Sequence, residues 1–231
     1  MAYAGKGDYD RAIADYTQAI KLKPNDVEAY YFRSIAYYYG KGDYDRAIAD
    51  CTQVIKLVPD YADAYNNRGD AYAGKEDWNR AIADFTQAIK LDPDYADAYN
   101  NRGDAYYSKN DIPYAIMDYT QAIKLDPDFA LAYYNRAFAY YVIGDDREAI
   151  ADFSQVIKLA PDYAAAYHGR GLAYSDKRDW NRAIADFTEA IKLDPDYAVA
   201  YYYRGLAYKA KRDTKKANAD FAKAKELGFE E

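Results

Sequence analysis

The chain has 231 residues, 38 of them acidic and 31 basic, which leaves a net charge of −7 at pH 7. That balance argues against a nucleic-acid surface, which needs clustered Lys and Arg, and the single cysteine, Cys51, allows no intramolecular disulfide. No apolar run approaches the ~18 residues of a membrane span and no signal peptide is visible; the compartment stays open, with the cytoplasm preferred.

A beat runs through the sequence. Pro59, Pro93, Pro127, Pro161 and Pro195 are each 34 residues apart, and Pro24 precedes them by 35. A fixed period of this length signals stacked supersecondary units. Residues 1–26 hold the tail of one helix and a complete second helix, an N-terminal half repeat that reads either as excised from a longer chain, the preferred expectation, or as a native cap. Residues 27–60 are the first full copy. One extra residue between Ala36 and Tyr44 predicts a longer turn between its helices.

Residues 61–94 show the unit most clearly. Tyr65, Arg68, Gly69 and Tyr72 form one helical stripe, and Ala81, Ile82, Phe85, Ala88 and Ile89 form another. Asp77 is placed to cap the second helix. Pro93-Asp94 is expected to close it and cap the next. Gly69 in mid-helix predicts a close helix crossing, with Ala81 opposite. Residues 95–128 repeat the unit, with Pro113 tolerated just inside a helix start. Residues 129–162 bring large apolar residues where Asp and Asn stood before. Residues 163–196 contain the only histidine, and 197–231 end in a lysine-rich helix suited to a solvated terminal face.

The order Tyr65, Gly69, Tyr72, Trp78, Ala81, Phe85, Ala88, Pro93 resembles a tetratricopeptide repeat over nearly the whole chain. Arg68, where the family usually has leucine, is similar to its arginine-glycine variety. The resemblance implies an all-α fold: a right-handed superhelical solenoid of tandem antiparallel helix pairs, one continuous domain. It also implies that the first helix of each pair lines a concave groove in which ligand peptides lie.

In the second copy the stripe opposite the packing side is Asp63, Asn66, Asn67 and Asp70, which share one face expected to be exposed. The equivalent residues are Tyr31, Ile35 and Tyr38 in the first copy and Asp97, Asn100, Asn101 and Asp104 in the third. The fourth offers Leu131, Tyr134, Asn135, Phe138 and Tyr141, the fifth His168 and Leu172, the sixth Tyr202 and Leu206. Aromatic side chains on a face free of packing duty signal binding. Asn67, Asn101 and Asn135 recur at one place, where primary amides suit a peptide backbone. This is similar to an asparagine ladder found in some family members. The lysines and arginines with which other members hold chaperone carboxy-termini are absent, since Asp97 and Asn100 stand at comparable positions.

Arg68, Arg102, Arg136, Arg170 and Arg204 each precede an aspartate by 16 residues and read as repeated structural ion pairs. Cys51 stands where Phe85 does and reads as a small buried residue. No catalytic constellation, cofactor motif or phosphate loop is present in the sequence. The aspartates seven residues apart are about 10 Å apart along a helix, too far for one metal ion. The sequence thus predicts a non-catalytic interaction scaffold, without metal or cofactor. Its partner is expected to be a protein segment carrying apolar and basic residues, and the alternative is self-association through ends or apolar patches.

Overall fold

The structure, a computed structural model, describes residues 8–230. The helix tail expected at the start of the chain lies outside the described residues. Thirteen α-helices and no strands are present among the described residues, and they fall into two compact units divided at Leu125 and Asp126.

The first unit contains α1 (Tyr9–Leu22), α2 (Val27–Lys41), α3 (Tyr44–Leu57), α4 (Ala62–Gly74), α5 (Trp78–Leu91), α6 (Ala96–Ser108) and α7 (Ile112–Leu125). Each helix packs on its chain neighbours, and α4 also touches α2 and α6. The second unit contains α8 (Ala130–Val142), α9 (Asp146–Leu159), α10 (Ala164–Asp176), α11 (Trp180–Leu193), α12 (Ala198–Ala210) and α13 (Thr214–Glu226). There α10 touches α8 and α12 in the same way.

Five of the odd-numbered helices, α1, α3, α5, α11 and α13, start on an aspartate that accepts a backbone N–H three residues on. Asp77 does so from Arg80 at 3.2 Å, and Asp8, Asp43, Asp179 and Asp213 do likewise. All of the odd-numbered helices but α13 end at the leucine two places before proline, because the residue preceding proline avoids the helical region; Asp92 is extended there, at φ −131°. The expectation that Asp94 caps α6 is not met. Tyr95 is the cap residue and makes no side-chain cap bond; the Asp94 N–H donates instead to the Asp92 carboxylate at 3.1 Å.

The inserted residue of the first copy does not lengthen a turn. It is absorbed by α2, which runs 15 residues where α4 runs 13, and the helix stops on left-handed Gly42 at φ 61°. At the Gly69 crossing the Phe85 ring lies nearest. A Cβ on Gly69 would come within 2.6 Å of the Phe85 ring, so hydrogen at this place makes room for an aromatic ring from the paired helix. Gly103 meets Tyr119, Gly171 meets Phe187 and Gly205 meets Phe221 in the same way. Where Ala137 stands instead, the Phe153 ring crowds Gly169 of the next first helix.

The ion pairs form a second, polar layer. Arg68 donates through Nε and Nη2 to both oxygens of Asp84 at 2.7 and 2.8 Å, and through Nη1 to Thr52 of the preceding pair at 3.2 Å. Arg68 therefore joins two pairs. Arg102, Arg170 and Arg204 repeat the arrangement with Thr86, Ser154 and Thr188. The 16-residue rule overlooks Arg33, which holds Asp50 17 residues on and Thr17 behind it, because its copy carries the extra residue.

Candidate functional site

In the first unit, α2, α4 and α6 border an open recess of about 480 Å³. Tyr38 and Tyr39 stand on one side, Trp78 and Tyr95 contribute further rings, and Asp70, Asp97, Asp104, Asn67 and Asn101 supply the polar lining. Asn66 and Asn100 are nearly enclosed, at 5% and 1% exposed, although Asn66 still borders the recess. The helices approach closely enough at the small residues for these amides to be enclosed, and they become structural donors and acceptors.

Asn101 donates to Asn66 at 3.2 Å and to Asp70 at 3.1 Å, tying α6 to α4. Its amide is thus engaged within the protein, unlike the free ladder of amides expected for a peptide backbone. Asn135 is half-buried in the second unit. The Tyr119 hydroxyl donates to Asp104 at 2.7 Å, and Tyr95 lies beside Asp63. Burial first, and then the neighbouring Asp104 and Asp97 carboxylates, push Asp70 up to about 7. Burial pushes Asp104 up to about 6, against the lowering effect of the Tyr119 hydroxyl. Sequence reasoning overlooked Tyr119, although its signal was present: tyrosine replaces phenylalanine in a copy that also carries an aspartate.

Beside the recess, Tyr31 packs edge-on to Phe32 and against Tyr61, at 5.4 and 5.2 Å between ring centroids. Ile35 and Tyr38 border a small recess next to Cys51. Burial pushes the Cys51 thiol up to about 12, which removes it as a nucleophile.

The second unit presents a different face. Tyr134 and Phe138 are not free of packing duty, since both rings rest on Phe153 at 5.9 and 5.2 Å. Leu131, Val142 and Ile143 open to solvent, each about half exposed. Burial first, and then the nearby Asp176 carboxylate, push the Tyr141 hydroxyl up to about 12. His168 is 7% exposed, boxed by Phe187, Tyr197 and Tyr203. Burial lowers its pKa to about 4, so it is a neutral contact residue. Leu172 and Leu206 are half-buried. Tyr202 packs on Phe221 and stacks on Phe229 at 4.5 Å.

No helix among the described residues is long and apolar enough to cross a membrane, and no cluster there could hold a metal ion.

A family profile described as TPR repeat matches residues 69–110 and 103–144. Profiles described as tetratricopeptide repeat match 1–62 and 37–77, and 130–163 and 164–197. A comparison with curated proteins finds no match. Among solved structures, MamA is 30% identical with a TM-score of 0.66, the alignment covering 69% of this chain and 93% of that one. YrrB, described as a TPR protein with an unusual peptide-binding site, is 23% identical with a TM-score of 0.65, covering 85% and 97%. The C-terminal part of a TPR repeat-containing protein from Cytophaga hutchinsonii is 22% identical with a TM-score of 0.76, covering 98% and 93%; at that identity the likeness shows the fold alone. Repeats matched from residue 1 to residue 197, a relative at 30% identity and tandem helix pairs with aromatic-on-glycine crossings together place the chain in the tetratricopeptide repeat family.

Proposed function

We propose that the protein is a non-catalytic interaction scaffold that captures a peptide segment of a partner on its first helices, α2, α4 and α6 in the first unit and α8, α10 and α12 in the second. The observation that carries this reading is the recess of the first unit, where aromatic rings surround carboxylates that burial has already pushed up. A lysine or arginine side chain entering it would restore full ionisation and lay its stem against the rings. In the second unit the exposed Leu131 and Val142 suit apolar ligand residues. The peptide-binding site described for YrrB, a protein of the same fold, supports the class of ligand.

Repetition of the Arg–Asp clamp in every full copy supports the arginine-glycine variety of the repeat, because the arginine takes over a stacking role that leucine would otherwise fill. A non-catalytic role is supported by the state of the reactive side chains, with His168 boxed by rings and the Cys51 thiol pushed up.

A pull-down from lysate of the source cells tests the reading with wild type beside two variants, Asp70→Asn/Asp97→Asn/Asp104→Asn and Leu131→Asp/Val142→Asp. A protein retained by wild type and lost by either variant supports capture on these helices. Retention that neither variant reduces would sink it. A mass that rises with protein concentration and falls in the Leu131→Asp/Val142→Asp variant would favour self-association.

A further inference from the structure

A polar clasp repeats along the edge formed by the ends of the first helices and the starts of the second helices. The lysine at the end of a first helix reaches back to an acceptor in the first turn of the preceding second helix. Lys41 reaches Asp10 at 2.7 Å, Lys75 reaches Asp45, and Lys109 reaches Asn79 at 2.8 Å. In the second unit Lys211 reaches Asn181. Lys177 stands at the same register, but the residue at the acceptor position is Arg147. A cation has replaced the acceptor.

Arg147 and Lys177 line one recess of about 370 Å³ together with Arg182, Tyr174 and Ile150. Lys177 also borders a second recess of about 390 Å³, shared with Arg178, Trp180 and Lys211. Asp179 is the one carboxylate lining both recesses. It is already engaged, accepting the Arg182 side chain at 2.6 Å and the Arg182 N–H at 3.1 Å. Asp146 is near enough to Lys177 to feel its charge, but burial first, and then Asp176 and Asp145, act on it in the opposite direction. Among the described residues, neither Arg147 nor Lys177 forms an ion pair. Like charges placed together cost stability, and here they are gathered on a chain whose net charge is −7.

The geometry points to this edge of the second unit as a docking site for an acidic peptide segment of a partner. One carboxylate seats between Arg147 and Lys177, and the next lies near Arg178 and Lys211. Arginine favours such a carboxylate because its planar fork donates two parallel bonds. Ile150 and Tyr174 give the recess an apolar wall against which the stem of a glutamate packs. A peptide satisfies both features, and a bare inorganic anion only the first.

The test is fluorescence anisotropy of a labelled hexaglutamate peptide on the full chain at low salt. Arg147→Asp is the decisive variant, since it puts the acceptor found at Asp45 at an exposed position. The expected result is binding to wild type that weakens at least about tenfold in Arg147→Asp and fades as salt approaches about 0.3 M, with an equal or higher melting temperature. The groove variant Asp70→Asn/Asp97→Asn/Asp104→Asn should bind hexaglutamate like wild type, which separates this site from the groove. Equal binding by wild type and Arg147→Asp, or no binding up to about 1 mM peptide, would overturn the proposal. Inorganic phosphate competing as well as hexaglutamate would also overturn it, in favour of a simple anion site. A mass that doubles in wild type but not in Arg147→Asp would reassign the edge to a second copy of the chain.

Discussion

The same helix positions carry opposite chemistry in the two units. Where the first unit has Asn66, Asn100, Asp70 and Asp104, the second has Tyr134, His168, Phe138 and Leu172. Beneath them the scaffold is the same, with an aromatic ring against a small residue and an arginine holding an aspartate. In the first unit, burial leaves two carboxylates that resist ionisation. In the second it leaves an imidazole that resists protonation. A repeat fold therefore separates the residues that hold it together from those that set its surface chemistry, and each set can be tested alone.

The largest expected effect tests the shared scaffold. Removing one partner of a buried pair leaves an uncompensated charge, which costs about 3–5 kcal/mol. Asp84→Ala in the first unit strands Arg68, and Asp186→Ala in the second strands Arg170. Urea unfolding should show similar losses for both. A clamp that mattered in only one unit would break the claim of a common frame.

Acid should then move the two units in opposite directions. Asp70 and Asp104 have folded pKa values raised to about 7 and about 6. Their stabilising contribution is complete below the unfolded value near 3.9 and is lost as pH rises through 6 to 7. The folded His168 value is depressed to about 4 from 6.5, so the unfolded chain binds the proton more readily, and stability is lost as pH falls from 6.5 toward 4. Amide hydrogen exchange at pH 4.5 and 7.5, corrected for intrinsic rates, should show α4 and α6 better protected in acid and α10 less so.

Single substitutions sharpen this. His168→Asn, which installs the residue found at Asn66 and Asn100, should recover about 2 kcal/mol at pH 4.5 and little at pH 7.5. Asp70→Asn/Asp104→Asn should raise stability at pH 7.5 by about 1–3 kcal/mol and flatten the pH profile of the first unit. Parallel pH profiles for wild type and variants would refute the assignment of either titration.

Much of the fold could be read from the chain because helix pairing depends on local signals: the prolines, the aspartate caps and the two apolar stripes all repeat at one period. The Arg–Asp clamp was equally legible, except at Arg33, where a single inserted residue hid the spacing. The candidate site was less so. Exposure was inferred from a helical wheel, which places Asn66, Asn100 and His168 on the face away from the paired helix but does not reveal how closely the neighbouring first helix approaches. Small residues such as Ala64 and Ala98, fully buried between helices, bring that neighbour close enough to enclose the amides. The Phe85 ring facing Gly69 was missed for a related reason: a crossing point is set by side-chain length, not by sequence register alone.

The smallest expected effect concerns the copy that breaks the ring-on-glycine rule. Cys51 stands where Phe85 and Tyr119 do, and Ser34 stands where Gly69 and Gly103 do; both Cys51 and Ser34 are fully enclosed. Ser34→Gly alone loses helix propensity, about 0.5–1 kcal/mol, and opens space that nothing fills. Cys51→Phe alone drives a ring toward the Ser34 Cβ, overpacking that costs about 1–3 kcal/mol. Together they rebuild the contact used at Gly69 and Phe85, so the double variant should be more stable than the sum of the two losses predicts, with a coupling of about 1–2 kcal/mol. Strict additivity would mean that the small residue and the ring are chosen independently, and that the glycine crossings owe their position to some other constraint on the first helix.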